Sequence, residues 1–488
     1  MRTSLMLSLL MACGEKEDTG SAEEADADTD ADSDTDADAD TDTDTDSDTD
    51  ADTDADTDAD TDGDIKISSI EWKLHDNIGS IVYVAWEQTG SGTVHVNYTF
   101  EDDIWLSTPA RSTTAGSNKQ PLVGIPYSTN NIQWELVVEK TGAVHGGDPA
   151  ENSALDSDFP TVTLQIADEK QWLSTGNYLL TSLNEKTGGW TQGTYWTFIM
   201  DRQGRVVWAN KTPYSHWTLF AQVSTTGGYI LWDEATYWAD FDNGAGSSVH
   251  WMYLDEKIDE IDTPGLHHAF VQLPDESLVW GSQDHGGGEA LVERSTSGVE
   301  TMLWTCEDNW LSSSYCESNG LFYVESTNSF LYSFYTNDSL VEVDRSTGES
   351  LWWAGEEDDG YEFDPEDSQF DWQHGVSYTN TGTLLVSSKA RIDSEYTTII
   401  REYTVDHSTD TLTEVWSHDS DTFASTNGDA WRLDNGNTLH TIGSAGHIKE
   451  YTPDGETVWH IDLTDSNGTG RLLGRGEFIE DLYDLVKP

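Results

Sequence analysis

Histidine is sparse in this chain, 14 of 488 residues, yet His216, His268 and His374 recur at a nearly constant interval. With Gly320 and Gly428 they are spaced 52, 52, 54 and 54 residues apart. Imidazoles repeating in this way suit nucleophilic attack or proton transfer, provided the fold brings them together. Their structural role would be to cap backbone groups where strands enter a channel. His267 stands beside His268. Behind Asp371-Trp372-Gln373-His374 comes Ser387-Ser388-Lys389-Ala390-Arg391, with Lys389 and Arg391 on one strand face at a spacing of two. A local group of His, Lys and Arg in so acidic a chain suits an anionic ligand, although nearby carboxylates can equally consume Arg391. Trp217, Trp310, Trp372 and Trp431 are candidates to line the same mouth and stack on a planar ligand.

These residues need a scaffold, and the repeats supply one. A strand, a turn with Asp and Gly, and a strand carrying Trp recur at Trp208, Trp304, Trp352, Trp416 and Trp459. The segment 252–261 fills the long gap between the first two. A second hairpin precedes each: WLSTGNYLL, HWTLFAQVSTTGGYIL, HHAFVQLPDESLV, NGLFYVESTNSFL, HGVSYTNTGTLLV and NGDAWRLDNGNTL. Six copies of two hairpins predict a six-bladed β-propeller over 166–488, with the Trp filling the space between blades. Residues 65–165 carry short alternating runs without helical period, which predicts a β-sandwich. The fold class expected is therefore all-β, an N-terminal β-sandwich followed by the propeller.

The chain begins with Arg2, a short apolar run and then Leu10-Met11-Ala12-Cys13. This resembles a bacterial lipoprotein signal over 1–13, with Cys13 as the lipidated residue. The apolar run is too short to span a bilayer. Residues 14–64 alternate Asp with Ala, Thr and Ser, which predicts a disordered, charge-extended tether. The expected place is the cell envelope, as an outer-membrane lipoprotein facing the periplasm or the outside. Membrane contact would then be through the lipid alone. Cys306 and Cys316 are the remaining cysteines, and an exported chain is expected to join them in a disulfide.

Charge excludes some partners. Of the 92 acids, 25 lie in residues 1–64, and residues 65–488 still carry −46. Nucleic acid is not an expected partner, because phosphate contacts need clustered Lys and Arg. Adjacent His267 and His268 would point to opposite faces of a strand, a poor chelate, and no Cys cluster appears. VEVDRSTGESLW at 341–352 resembles the docking repeat of quinoprotein propellers, yet it is the one copy with the full spacing. No metal or other cofactor is expected.

The chain also resembles the bacterial arylsulfate sulfotransferases. The motifs that carry the resemblance are HHAFVQLPDESLV at 267–279, DWQHGVS at 371–377 with SSKAR at 387–391, TNGDAW at 426–431 and RGEFIEDLY at 475–483. It implies sulfuryl transfer between phenols through a sulfohistidine, with a small aromatic sulfate, a phenol or another anionic small molecule as partner. By position, His268 (or His267) and His374 match supporting histidines, and Lys389 stands where the family has Arg. Lysine keeps the charge but loses the planar fork that grips sulfate. The largest departure is Gly428, at the place of the family's nucleophilic His. His440 and His447 belong to the same repeat but are not expected at the strand start. The resemblance therefore leaves two expectations. The inherited double displacement is lost and the propeller binds ligand or acts as a scaffold, or another histidine, His216 first, has taken over.

Overall fold

The computed structural model describes residues 65–488 except 102–103, 190, 238–243, 284–288, 310–315 and 393–394. The expected signal segment with Cys13, the tether over 14–64, and Trp310 lie outside the described residues.

Two antiparallel sheets come first. Strands Lys66–Leu74, Val82–Thr89 and Gly116–Leu122 form one. Strands Ile104–Ser107, Gly92–Glu101, Gln133–Val138 and Ala143–Gly146 form the other, with Arg111–Thr113 paired to Gly92–Glu101. Alternation along the strands turns Val94, Val96 and Tyr98 inward to meet Val82, Val84, Trp86, Trp134 and Leu136, the arrangement of a sandwich.

Six sheets of four or five strands follow among the described residues. The middle four run in chain order. They begin with Ala221–Val223, Leu266–Gln272, Ser318–Val324 and Asp371–Tyr378. The sheet of Asp371–Tyr378 adds Glu362–Asp364 as a parallel edge on Thr411–Asp419. The first and last sheets are composite. Strand Tyr178–Thr187 pairs with Arg471–Leu473 and Glu477–Ile479 from the chain's end. The last sheet, Asp429–Arg432 through Thr457–Asp462, takes Thr163–Ala167 as its outer strand. The two ends of the repeat region thus close the ring, and strand Thr163–Ala167 moves the propeller boundary slightly ahead of residue 166.

The repeated tryptophans hold successive sheets together. Trp208, Trp304, Trp352 and Trp459 are almost fully buried. Trp208 Nε1 donates to Leu254 O at 3.0 Å, Trp304 Nε1 to Ser350 Oγ at 3.0 Å and Trp416 Nε1 to Pro453 O at 3.0 Å, each in the next sheet. Trp459 Nε1 donates to Arg202 O at 2.8 Å, joining the last sheet to the first. A large ring fills the space between sheets, and its one polar atom finds a carbonyl or hydroxyl, so the same residue is reused at these four junctions.

Cys306 and Cys316 are joined in a disulfide with Cα atoms 6.4 Å apart, between the strands Glu300–Thr305 and Ser318–Val324. Replacing both by Ser is expected to lower stability by about 2–3 kcal/mol, the loop-closure value for a short loop. Denaturant midpoints at unchanged m-value check this; equal midpoints would contradict it.

Candidate funnel site

The hairpin turns give each inner strand a common reference. Backbone N–H to O bonds close the turns at Ser224–Tyr229, Leu273–Ser277, Thr379–Thr383 and Leu433–Asn437. Five residues before each turn stand Leu219, His268, His374 and Gly428, and Gly320 occupies the same place before the Glu325–Asn328 turn. Four of the five positions expected from spacing therefore share a level. His216 does not: Leu219 takes its place, because the turn after His216 begins three residues later than a 52-residue count assumes. His216 is instead held by Glu234, Nδ1 to Oε2 3.2 Å, and Glu234 also meets His250 Nε2 at 3.4 Å.

The chain's end completes the level. Gly474 N–H donates to Ser182 O at 3.0 Å and Arg475 N–H to Leu219 O at 3.0 Å. Leu219, Phe220, Asn319, His374, Asn427, Gly428, Asp429, Gly474 and Arg475 then enclose a space of about 10 Å³, room for roughly one water. Arg475 is the cation that sequence reasoning missed, although RGEFIEDLY marked its segment. Its guanidinium lies 3.5 Å from Asp429 Oδ2 and 4.0 Å over the Trp431 ring. Trp431 Nε1 in turn donates to Asp429 Oδ2 at 2.5 Å. Burial pushes Asp429 up to about 6 against the opposing pull of Arg475.

His374 has a fixed tautomer. Its Nδ1 lies 3.0 Å from Trp372 O, a pure acceptor, so Nδ1 carries the proton and Nε2 keeps its lone pair. Burial, aided by the charge of Lys389, pushes its pKa down to about 3, so the ring is neutral across the ordinary pH range. Lys389 is buried on Leu384–Ile392, donates from Nζ to Ser425 O at 2.6 Å and sits 4.1 Å over the Trp372 ring. Desolvation lowers it to about 8, against the pull of Asp371 and Asp338. Trp372 is 43% exposed and stacks on Tyr396, which leans on Phe423. These rings form an exposed aromatic ladder with an ammonium at its base. Arg391 lies past the buried part of its strand, exposed, with its guanidinium 5.9 Å over the Tyr396 ring of this ladder. Trp217 is buried against Tyr195.

His267 and His268 are both buried, and they touch rather than diverge, Nδ1 to Nδ1 2.7 Å. A register shift between Leu266 and Phe270 breaks the strict alternation that predicts opposite faces. His267 Nε2 lies 2.9 Å from Glu289 Oε2. Tyr335 bridges this pair to His374, with ring centroids 6.4 Å from His268 and 6.2 Å from His374.

Gly428 has φ +142°, and a Cβ there would stand 3.2 Å from both Ser387 Oγ and Thr441 O. The direction of a side chain at 428 is already filled by Ser387, whose Oγ lies 3.0 Å from Nε2 of buried His440. His440 thus ties two sheets together. Gly428→Ala is expected to cost about 1–3 kcal/mol from the backbone region alone, read as a lower denaturation midpoint; for the same reason Gly428→His should add no second nucleophile.

A cleft of about 860 Å³ lies apart from this site, between Gly92–Glu101 of the sandwich and the first propeller sheet. Its Asp201 already accepts from Arg205 Nε at 2.7 Å. Among the described residues no group of three or more His, Cys, Asp or Glu is placed to hold a metal, and no helix is long and apolar enough to cross a membrane.

Residues 313–464 match the arylsulfotransferase (ASST) family. No curated protein matches the chain. Solved structures that are similar include a protein of unknown function from Bacteroides caccae, 12% identical, covering 62% of this chain and 99% of that one at TM-score 0.41. Another is the Myceliophteria thermophila Cps50 (Swd1) β-propeller domain, 14% identical, 63% and 87% covered, TM-score 0.37. A third is virginiamycin B lyase from Staphylococcus aureus, 10% identical, 61% and 87% covered, TM-score 0.35.

Proposed function

We propose, on the match of residues 313–464 to the arylsulfotransferase family, that the funnel takes the sulfuryl group of an aryl sulfate onto His374 and passes it to a phenol. The observation that carries this is the Nε2 of His374, left unprotonated by the Nδ1 contact to Trp372 O; the one-water space it lines with Arg475 must widen to admit the sulfuryl group. Nε2 attacks sulfur, an N–S bond forms, and the S–O bond breaks with its electron pair leaving on the phenolate. An acceptor phenol oxygen then attacks the same sulfur and loses its proton, equal to the one the departed phenolate takes up; the N–S bond breaks and the imidazole is restored. Lys389 and Arg475 offer positive charge to the sulfonyl oxygens. Trp372, Tyr396 and Phe423 suit the aryl ring.

A second reading has a specific observation in its favour. Gly428 presents no side chain where the family's nucleophile is implied, which suits a propeller that binds an aryl sulfate without turning it over. Following phenol release and ligand binding separately distinguishes the two. A burst of phenol, then turnover that rises with added acceptor phenol, is expected; saturable binding without release would replace the first reading by the second.

The basic, apolar start ending at Cys13 supports display on the cell envelope by a lipid anchor. Labelled palmitate should enter the full chain and be absent from Cys13→Ser; an unlabelled wild-type chain would contradict the anchor.

A further inference from the structure

Behind His268 lies a chain of groups that the transfer step does not use. Glu289 is buried at 1% exposure. Its Oε1 accepts from Ser318 Oγ at 2.8 Å and Tyr332 OH at 2.5 Å. Its Oε2 accepts from Ser318 N at 3.1 Å and Gln283 Nε2 at 2.6 Å, as well as facing His267 Nε2 at 2.9 Å. Five donors around one carboxyl hold it ionised despite its burial, and a carboxylate has no proton to give, so the proton in its contact with His267 sits on Nε2. The neutral His267 then presents a lone pair at Nδ1. The 2.7 Å contact between the two Nδ1 atoms needs one proton, and His268 supplies it. His268 is left with its lone pair on Nε2.

We infer that Glu289, His267 and His268 form a carboxylate–imidazole–imidazole proton relay serving the funnel, with Glu289 and His267 as positioning residues. This rests on the sulfuryl-transfer reading above. When an acceptor phenol reacts, His268 Nε2 takes its proton while the Nδ1 proton of His268 passes to His267 Nδ1. The charge comes to rest on His267 beside the Glu289 carboxylate. The donor's phenolate leaves first, while both imidazoles are neutral, and takes its proton from solvent; after the acceptor half the proton on His267 Nδ1 returns to His268 Nδ1 and the one on His268 Nε2 passes to solvent. No proton is gained or lost over the two halves. An imidazolium buried alone would be costly; next to an ionised carboxylate the pair is neutral. The same fixed partners explain why adjacent histidines are both buried without opening a chelating site.

Two measurements on the full chain test it. In histidine-labelled protein without ligand, ¹⁵N NMR should find His267 protonated on Nε2 and His268 on Nδ1, with coupling across the Nδ1–H···Nδ1 bond. Absence of that coupling, or a neutral His267 protonated on Nδ1, would overturn the relay whatever the protein does with aryl sulfates. Glu289→Gln is the kinetic test, because its amide oxygen can keep the bond from His267 while its amide N–H₂ meets the hydroxyls of Ser318 and Tyr332. The variant should fold and keep both tautomers, yet lose about 10- to 100-fold in kcat at unchanged KM. Unchanged kcat would overturn the relay. A wild-type protein that releases no phenol would overturn the transfer reading and with it the relay's catalytic role, leaving the tautomer result to decide the hydrogen-bonded chain.

Discussion

His374→Ala is expected to abolish sulfuryl uptake, with phenol release falling by about a thousandfold or more, the scale of removing a nucleophile. The imidazole is prepared for attack in two independent ways. The carbonyl of Trp372 holds the proton on Nδ1, and burial beside Lys389 keeps a second proton off Nε2. His374→Gln should be as inactive, since an amide cannot form the N–S bond. Ligand binding should survive in both variants, because Lys389 and Arg475 remain. Turnover within tenfold of wild type in either variant would remove His374 as nucleophile. The same substitution at His216 should leave phenol release nearly unchanged, since that ring is engaged with Glu234 away from the inner level.

The second large effect is in pH. Lys389 must be charged to hold a sulfonyl oxygen, and its pKa is lowered to about 8 by burial. Asp338 and Asp371 face it, and burial raises Asp338 to about 7. Between about 7 and 8 the ammonium and the carboxylate are both ionised; above 8 the ammonium is lost and the negative charges remain. Aryl sulfate affinity should therefore fall by about tenfold per pH unit above 8, as expected when one proton is needed for binding. The effect on stability has the opposite sign. Between 8 and 10.5 the unfolded chain holds a proton on Lys389 that the folded chain does not, so this residue makes stability rise with pH across that window. Titration calorimetry with an aryl sulfate between pH 7 and 10, beside denaturation midpoints over the same range, reads both. Affinity that stays level from 8 to 10, or that falls equally in Lys389→Met, would contradict the assignment.

Much of the fold was legible because it rests on local chemistry. Each Trp-bearing hairpin carries its own turn residues, and a large ring with one donor atom suits the junction between sheets at Trp208, Trp304, Trp416 and Trp459 alike. The site was harder to read because its members meet through closure, pairing and bulges. Arg475 reaches the inner level because the chain's end completes the first sheet, a pairing across nearly the whole repeat region. Glu289 meets His267 across two strands, with no motif linking them. Spacing puts His268, His374 and Gly428 at one level before their turns, but misses that level at His216 by three residues, where one turn comes late. Alternation gave Lys389 and Arg391 the same face, yet just the first lies within the buried part of the strand. Gly428 was readable as a missing nucleophile; that its backbone also refuses a side chain required φ and the position of Ser387.

The central claim is that His374 receives the sulfuryl group, and the most direct measurement is to locate that group. The full chain would be incubated with 4-nitrophenyl sulfate without acceptor and quenched in alkali, since an N–S bond is labile in acid. Digestion and peptide mapping would follow. A single sulfuryl adduct on His374, discharged by a phenol, is the predicted result. Phenol release with no adduct, or with the adduct on Ser387, His268 or any other residue, would contradict the account.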